Sequence, residues 1–376
     1  MYFLSGERIY INPKNACATL EEQLQNCLLQ LSGINRGKKI FKINFFVDTV
    51  TKTDYNEIQK IIRKEVDSQF HNKILISVIA QPPITRKIIA EVSFYDSHLW
   101  KTTFLMDNGN GAVLFENGSC KVLIGNVQSN LNHNCNLNSA KAFSDLANIF
   151  NSFGLPINSI VRQWNYLEDI LGFDGEEQRY QEFNNARTSF YGDAFDKTGY
   201  PSATGIGMKQ GGIIIEFVAV QSDICKSAPI NNPSQIAAHT YSENVLEGEG
   251  CVLKTTPKFE RARYLELYGK KLIFISGTAS IVGEKTVGVG NPEEQTEVTI
   301  SNIKQLYSKE VLEKISDLPL NPKYGHARVY LKDKKDFSVI KQTFRHHFGN
   351  LPVVYIVADI CRKDLLVEIE GKVILE

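Results

Sequence analysis

Three stretches of the chain repeat one pattern of apolar and polar positions. In each, an alternating strand ends close to an acidic residue, an amphipathic helix follows, and two further strands come next. The last strand carries three aliphatic residues and then a glutamate, at Ile88–Glu91, Ile213–Glu216 and Leu365–Glu368. A pattern that recurs in this way predicts one structural unit present three times.

Upstream of each stretch, apolar residues recur at intervals of three and four, which gives a helix one apolar face. Thr19 and Glu22 have the spacing of a capping box before the first of these helices. The apolar positions are Leu20, Leu24, Cys27, Leu28 and Leu31, then Ala142, Phe143, Leu146 and Ile149, then Val298, Ile303, Leu306 and Tyr307. The unit is therefore predicted to run ββ-α-β-α-ββ, an α/β sandwich whose helices cover one face of a mixed sheet.

The predicted repeats cover residues 1–95, 96–222 and 223–376. The third contains an inserted loop at about 222–258, rich in Asn, Ser, Pro and Gly. Three such sheets in one chain imitate a trimer and place clefts between consecutive repeats. We therefore expect a monomer that already contains a pseudo-trimer, and the sequence leaves further association between chains open.

Charge and composition narrow the classes of partner. Among 376 residues, Lys+Arg and Asp+Glu both number 42, so the chain lacks the excess of basic residues that is typical of a nucleic-acid-binding protein. No apolar run approaches the roughly 18 residues needed to cross a bilayer. The first residues, MYFLSGERIYINPKN, lack the basic and apolar segments of a secretory signal. We expect a cytoplasmic protein with no nucleic-acid or membrane partner.

Cysteine and histidine spacing argues against a metal centre. The seven cysteines are irregularly spaced and form no CxxC pair, and the seven histidines are scattered. His346 and His347 are adjacent, and adjacent helical residues diverge by about 100°, which makes them a poor ligand pair. The sequence also contains neither a GxxxxGK[ST] phosphate loop nor a GxSxG elbow. We expect no metal.

The glutamates of the last strand are the first candidates for chemistry. Glu368 and Glu370 project to the same face of a strand. Burial raises a carboxyl pKa toward neutrality, which would suit such a pair to acid–base work. The alternative is that one or both are solvated residues at a sheet edge.

Two glycine-containing segments are further candidates. In residues 274–283, FISGTASIVG, small residues and hydroxyls would let a ligand approach the backbone closely, or would form a tight bend. In residues 199–207, GYPSATGIG, Thr204 offers a hydroxyl, although a plain surface turn is the favoured explanation of the segment. The arginines near these segments that could clamp carboxylates are Arg179, Arg187 and Arg261.

These segments resemble the RidA (YjgF-like) fold family and, more closely, the chorismatases, which are built on RidA-like domains. The shared motifs occur in the family's order: WNYLEDI, RYQEFNNAR, GYPSATGIG, NNPSQ, PKFERA, ISGTASIVG and DICRKDLLVEIEG. They lie within residues 155–376, whereas the first 150 residues share only the repeat pattern.

The resemblance implies a reaction on chorismate, or a close relative, with neither metal nor organic cofactor, in a secondary-metabolite or pigment pathway. Glu368 matches the family glutamate that protonates the methylene carbon of the enolpyruvyl ether, after which pyruvate is lost. Arg261 and Tyr241 match positions that hold the substrate carboxylates. Arg187 and Thr204 are further substrate-binding candidates from neighbouring motifs.

The resemblance also bears on the product. Gly277 and Cys361 are shared with members that form 3-hydroxybenzoate, which favours 3-hydroxybenzoate plus pyruvate here. The alternatives are hydrolysis of chorismate to the trans-dihydroxycyclohexadiene carboxylate and a non-catalytic RidA-like protein that binds small carboxylates. An imine deaminase is disfavoured, because Pro352 stands where such enzymes carry an arginine.

The chain departs from the family pattern in one region. Residues 284–291, EKTVGVGN, replace a His-containing stretch, the segment between Tyr241 and Arg261 is longer than in the family, and His239 stands in place of an aromatic residue. These differences leave open a relative of chorismate as the substrate, or another role.

Overall fold

The computed structural model describes residues 9–34, 37–70, 73–107, 109–131, 134–242, 254–315 and 319–376. The helices in these ranges are α1 (Leu20–Ser32), α2 (Lys52–Gln69), α3 (Cys135–Phe153), α4 (Arg179–Tyr191), α5 (Pro292–Gln305), α6 (Lys309–Glu313) and α7 (Phe337–Phe348). The strands are β1 (Ile9–Ile11), β2 (Lys39–Val47), β3 (Leu75–Ile79), β4 (Ile88–Tyr95), β5 (Lys101–Asp107), β6 (Asn110–Asn117), β7 (Cys120–Ser129), β8 (Ile160–Glu168), β9 (Phe173–Asp174), β10 (Glu177–Gln178), β11 (Ser202–Met208), β12 (Ile213–Gln221), β13 (Lys226–Ile230), β14 (Ala262–Leu267), β15 (Lys270–Ala279), β16 (Ile281–Val282), β17 (Lys285–Thr286), β18 (Pro322–Leu331), β19 (Val353–Val357) and β20 (Val367–Leu375).

The first sheet has the strand order β1-β4-β2-β3. Strands β2 and β3 are parallel and are connected through α2, while β4 is inserted antiparallel between β1 and β2. The predicted capping box at α1 is present. The Thr19 hydroxyl accepts from the Glu22 amide at 3.2 Å, and the Glu22 carboxylate accepts from the Thr19 amide at 2.8 Å. Two orphan amides at the start of α1 are thereby satisfied.

The second and third sheets repeat this topology with two more strands each. Their orders are β11-β8-β12-β7-β6-β5 and β13-β14-β15-β20-β18-β19. In both, a parallel pair is joined through a helix and the last strand returns to the middle of the sheet. The predicted mixed α/β repeat is confirmed, but three strands, not two, precede the first helix of these two sheets.

The positions of the repeat boundaries stay a prediction, and the segment Tyr2–Gly6, which also carries the repeat pattern, lies outside the described residues. Where the described chain starts, β1 is the one strand before α1.

Each sheet buries one face under its helices and turns the other toward the neighbouring sheets. In the third repeat, Ile369 packs with Ile300 of α5 and Ile340 of α7. The opposite faces contribute Phe46, Trp164 and Phe274, from the three different sheets, to one shared apolar cluster. Because the inner faces meet, polar side chains on them are buried between repeats.

Strand β20 is central in its sheet, between β15 and β18. Val367 and Ile369 face the helices, so Glu368 and Glu370 point toward the other repeats and are only 4% and 2% exposed. The alternative that they are solvated edge residues is therefore wrong. The reason is topological, because the chain returns its last strand to the middle of the sheet.

Among the helices of the described ranges, none combines the length and the apolar character that crossing a bilayer requires.

Candidate functional site

A cleft with an empty volume of about 750 Å³ lies between the second and third repeats. The start of α4 and strand β11 form its wall on the second repeat. Strand β15, the start of β20 and the segments before β14 and β20 form the opposite wall. Its apolar lining includes Phe259, Ile281 and Leu365. The position between consecutive repeats is the one that the threefold pattern predicts.

Strand β11 docks on β15 at an irregularity in the third sheet, where the pairing of β15 with β20 shifts register between Ile275 and Thr278. The Ser276 hydroxyl donates to Glu260 O at 2.6 Å and accepts from the Ala203 amide at 2.9 Å. This contact ties the two repeats together beside the cleft and displaces the following peptide, at residue 277, from regular pairing.

Glu368 projects from β20 into this cleft, and its Oε1 has no hydrogen-bond partner among the residues that the structure describes. Burial, and next the nearby Glu370 carboxylate, raise the pKa of Glu368 to about 8, against the opposing effect of Arg162 and Arg261. A carboxyl with this pKa keeps its proton at neutral pH and can deliver it to a bound molecule.

Glu370, two residues further along β20, has the opposite environment. Its Oε2 accepts from the Thr204 hydroxyl and the Trp164 indole, each at 2.6 Å, and from Arg162. Its Oε1 lies 3.2 Å from Arg328 and accepts from the Tyr330 hydroxyl at 3.3 Å. The Glu370 carboxylate is thus ion-paired and fully hydrogen-bonded, whereas the Glu368 carboxyl is buried in an apolar wall. Different environments of this kind allow one carboxyl to stay ionised while its neighbour keeps its proton.

Two guanidinium groups of the cleft lie against one tyrosine. The Arg261 and Arg362 guanidinium carbons are each 5.3 Å from the centre of the Tyr241 ring. Arg261 donates to the Tyr241 hydroxyl and, at 2.8 Å, to Ile236 O, while its buried Nε has no acceptor in the described part of the chain. Two guanidinium groups beside one tyrosine suit a carboxylate of a bound ligand.

A second group of donors comes from α4. Arg187, 1% exposed, donates to Asn184 Oδ1 at 2.6 Å, which leaves Asn184 Nδ2 as a donor on the cleft wall. Neither Asn184 Nδ2 nor Arg187 Nε has a hydrogen-bond acceptor within the ranges described above. Buried donors are costly to leave unsatisfied, so this wall is suited to an anionic or carbonyl-bearing ligand.

Cys361 lines the cleft next to these groups. Burial, and next the proximity of Glu368, raises the pKa of its thiol to about 12. The side chain is therefore a neutral thiol at physiological pH, a weak donor rather than a thiolate nucleophile.

The structure brings most of the candidate residues together. Cleft-lining positions are held by Tyr241, Arg261, Gly277, Cys361 and Glu368. Arg187 lies behind Asn184. Thr204 is fully buried, and its hydroxyl is engaged by Arg162 at 2.6 Å, by the Gly277 amide at 3.0 Å and by Glu370. Arg179 lies apart from the cleft, where it donates to Asp174 at 2.9 Å.

Sequence reasoning did not single out Arg362 or Asn184. Arg362 lies in the motif DICRKD, directly after the candidate Cys361. Asn184 lies in the motif RYQEFNNAR, about one helical turn before the candidate Arg187. That adjacency is a signal which inspection of the motifs alone would have provided.

The divergent segment 284–291 contacts residues of the cleft through Glu284. The Glu284 carboxylate accepts from the Ser242 amide at 3.0 Å and from its hydroxyl at 2.6 Å, and Arg362 donates to Glu284 O at 2.7 Å. Ser242 follows Tyr241 directly, so this segment supports the residue that the two arginines contact. His239 lies against the Tyr200 ring, with ring centres 5.3 Å apart. Most of the longer segment before Arg261 lies outside the described residues.

No group of three His, Cys, Asp or Glu side chains in the described ranges is arranged to hold a metal ion.

Several known proteins have sequences similar to this chain. Residues 99–219 match the family model described as chorismatase FkbO/Hyg5-like, N-terminal. A chorismatase of Streptomyces rapamycinicus is 30% identical over 246 residues, which are 62% of this chain and 69% of that protein. The chain belongs to the chorismatase family. This membership confirms the resemblance that the sequence motifs indicate.

Two more relatives of this chorismatase-family chain bear on activity and fold. A 3-hydroxybenzoate synthase of Streptomyces hygroscopicus is 29% identical over 246 residues, 62% of this chain and 68% of that protein. The crystal structure of a chorismatase covers 98% of both chains with a TM-score of 0.69 at 22% identity. The chain therefore has the chorismatase fold over nearly its whole length.

Proposed function

We propose that this chorismatase-family chain converts chorismate to 3-hydroxybenzoate and pyruvate, with Glu368 as the acid. One observation carries the proposal. A buried carboxyl with a pKa of about 8 forms no ion pair with any described residue and projects into a cleft that also holds two guanidinium groups. A substrate with an enol ether and two carboxylates requires a protonated acid for the ether and cationic groups for the carboxylates.

In the first step Glu368 transfers its proton to the methylene carbon of the enolpyruvyl ether, which becomes a methyl group. The ether then carries an oxocarbenium charge, and the ionised Glu368 beside it offsets that charge. The neighbouring ring hydroxyl then attacks the carbon that carries the ether, the ether bond on the ring side breaks, pyruvate leaves with the ether oxygen, and the hydroxyl proton returns to Glu368. The resulting ring epoxide opens at its other carbon, and transfer of a ring proton to the oxygen gives 3-hydroxybenzoate. The two products together contain the atoms of chorismate, so no water is consumed.

The substrate's two carboxylates find complementary groups on different walls of the cleft. Arg261 and Arg362, which both lie against Tyr241, would hold one carboxylate. Asn184, oriented by Arg187, supplies a donor from the opposite wall for the other. Anchoring at both ends would place the enol ether near Glu368, and proximity of this kind accounts for a large part of many rate enhancements.

Hydrolysis of chorismate to the trans-dihydroxycyclohexadiene carboxylate is the second candidate, and the first step is the same for both. The non-hydrolytic product is supported by the relative named 3-hydroxybenzoate synthase and by the cleft positions of Gly277 and Cys361. An apolar wall around Glu368 also disfavours an ordered attacking water.

The test is incubation of the purified chain with chorismate. Pyruvate is followed by a coupled lactate dehydrogenase assay, and the second product is identified by chromatography. Pyruvate with 3-hydroxybenzoate supports the proposal. Pyruvate with a non-aromatic acid supports hydrolysis instead, and binding of chorismate without pyruvate release supports a non-catalytic binding protein.

The Glu368→Gln variant tests the acid directly, because an amide of nearly the same shape has no proton to give to carbon. We expect turnover to fall by at least about 10²-fold while chorismate binding, measured by calorimetry, is retained. The matched control is Glu216→Gln, the same change at the corresponding glutamate of the second repeat, and it should still release pyruvate. Near wild-type turnover of Glu368→Gln would exclude this acid.

A further inference from the structure

The three repeats are linked by buried ion pairs that follow one rule. Lys42 of the first repeat pairs with Glu216 of the second at 3.0 Å. Arg328 of the third pairs with Glu91 of the first at 2.7 Å. In each case a basic residue from one repeat contacts the glutamate that ends the aliphatic triplet of another.

The strand pairing predicts which residues should form the equivalent ion pair between the second and third repeats. Glu91 is opposite Asn44, Glu216 is opposite Trp164, and Glu368 is opposite Tyr330. The basic residue stands two positions before the opposing residue in every repeat, at Lys42, Arg162 and Arg328. By this rule, Arg162 of the second repeat should pair with Glu368 of the third.

The observed ion-pair partner of Arg162 is Glu370 instead. A second contact, from the neighbouring strand residue, is displaced in the same way. Asn44, beside Lys42, donates to Glu216 at 3.0 Å, and its counterpart Trp164, beside Arg162, donates to Glu370 at 2.6 Å. The pairing of the third repeat is thus displaced by two residues along β20, onto the same face of the strand.

We propose that Glu370 is a positioning residue for Glu368: it takes the inter-repeat ion pair that Glu91 and Glu216 hold in the other repeats, and so leaves Glu368 without an ion-pair partner among the described residues. The inference rests on the proposed function, because it gives Glu368 the role of acid. The displacement turns one of three repeated structural glutamates into a neutral acid facing a cleft.

Several titratable groups surround Glu368, and the inference concerns Glu370 and Arg162. These groups are Glu370 on the same strand, Tyr330 on β18, Arg162 on β8, Arg261 before β14, Tyr180 on α4, and Cys361 with Arg362 before β20. Glu370 raises the pKa of Glu368, whereas Arg162 and Arg261 lower it. Removing the Glu370 charge therefore acts twice, since a like charge disappears and Arg162 is no longer neutralised.

The test is the pH dependence of kcat in the full chain. An acid must be protonated to act, so activity falls as pH rises through the pKa of Glu368. For Glu370→Gln we expect this alkaline limb to move down by about one pH unit or more. For Arg162→Gln, in which Glu370 keeps Arg328, it should move up. The opposite signs separate the effect from general loss of structure.

The control is the double variant Lys42→Met with Glu216→Gln, which removes the equivalent ion pair of another interface without leaving a buried charge and should leave the limb in place. If Glu370→Gln does not fold, the upward shift in Arg162→Gln decides. An unshifted limb in active Glu370→Gln, or a downward shift in Arg162→Gln, overturns the inference. Absence of pyruvate release by the wild-type chain at every pH is a different outcome, because it rejects the proposed function itself.

Discussion

Gly277 and Glu368 face each other so closely that a single methyl group on Gly277 would lie 2.1 Å from Glu368 Oε1. That distance is far inside van der Waals contact, and the neighbouring Thr204 methyl, at 3.2 Å from the same position, blocks a sideways adjustment. The glycine is thus required by the space that the carboxyl occupies.

Gly277→Ala should therefore displace the Glu368 carboxyl and lower kcat by about 10²-fold, because displacement of a reacting group by about 1 Å has effects of this size. The measurement is steady-state pyruvate release, with circular dichroism to check the fold. Gly33→Ala is the control, since its added methyl would be at 3.4 Å from Gln30 O, an ordinary contact away from the cleft. An unchanged kcat in Gly277→Ala would show that the carboxyl works from another position.

The raised pKa of Glu368 predicts a stability effect of defined sign. An isolated glutamate has a pKa near 4.3, and in the folded chain the value is about 8. The folded state therefore holds this proton more tightly, so its contribution to stability is present at low pH and is lost as pH rises from about 4 to about 8.

Glu368→Gln does not titrate, so its free energy of unfolding relative to the wild type should increase with pH. Between pH 5 and pH 9 the difference should grow by about 4 kcal/mol at most. Urea denaturation of both chains at the two pH values measures it, and comparison of the two chains cancels all other titrating groups. A difference that does not change with pH would place the pKa of Glu368 in its ordinary range.

The Lys42–Glu216 pair predicts how firmly the first two repeats are joined. Burial alone would raise the pKa of Glu216, but Lys42 and next Arg328 hold it below the usual value. Lys42→Met leaves that carboxylate buried without its nearest cation and should lower the free energy of unfolding by about 3–5 kcal/mol.

Adding Glu216→Gln to Lys42→Met should recover most of this loss, because no unpaired buried charge then remains. Urea denaturation of the single and double variants checks both statements. A loss below about 1 kcal/mol in Lys42→Met would mean that water or another cation replaces the lysine.

The Glu284–Ser242 contact predicts a separable effect on substrate binding. Glu284→Ala removes the acceptor of both Ser242 hydrogen bonds, which should loosen the adjacent Tyr241 and raise KM for chorismate several-fold with little change in kcat. Lys285→Ala, the neighbouring exposed residue, is the control. A fall in kcat at constant KM would instead connect this segment with the chemical step.

Much of the architecture follows from local pattern. Helix α1 begins where Thr19 and Glu22 predict, and each aliphatic triplet lies on, or leads directly into, a strand that returns to the middle of its sheet. Such features are predictable because amphipathic periodicity and capping depend on residues a few positions apart. The local pattern does not predict the additional edge strands β5 and β13, because most of their residues are exposed or half-buried and carry little of that periodicity.

The repeated glutamate pattern and the family motifs that single out Glu368 can both be recognised in the amino-acid sequence. Which glutamate is ion-paired and which remains a neutral acid depends on the three-dimensional packing, because Arg162 and Glu370 are 208 residues apart in the chain. Desolvation and charge pairing depend on what packs nearby in space, and the same Leu-Leu-Val-Glu pattern would be compatible with either outcome. The positions of Asn184 and Arg362 on the cleft wall also depend on tertiary packing. The cleft forms only where two repeats meet, so the local sequence pattern of one repeat does not reveal it.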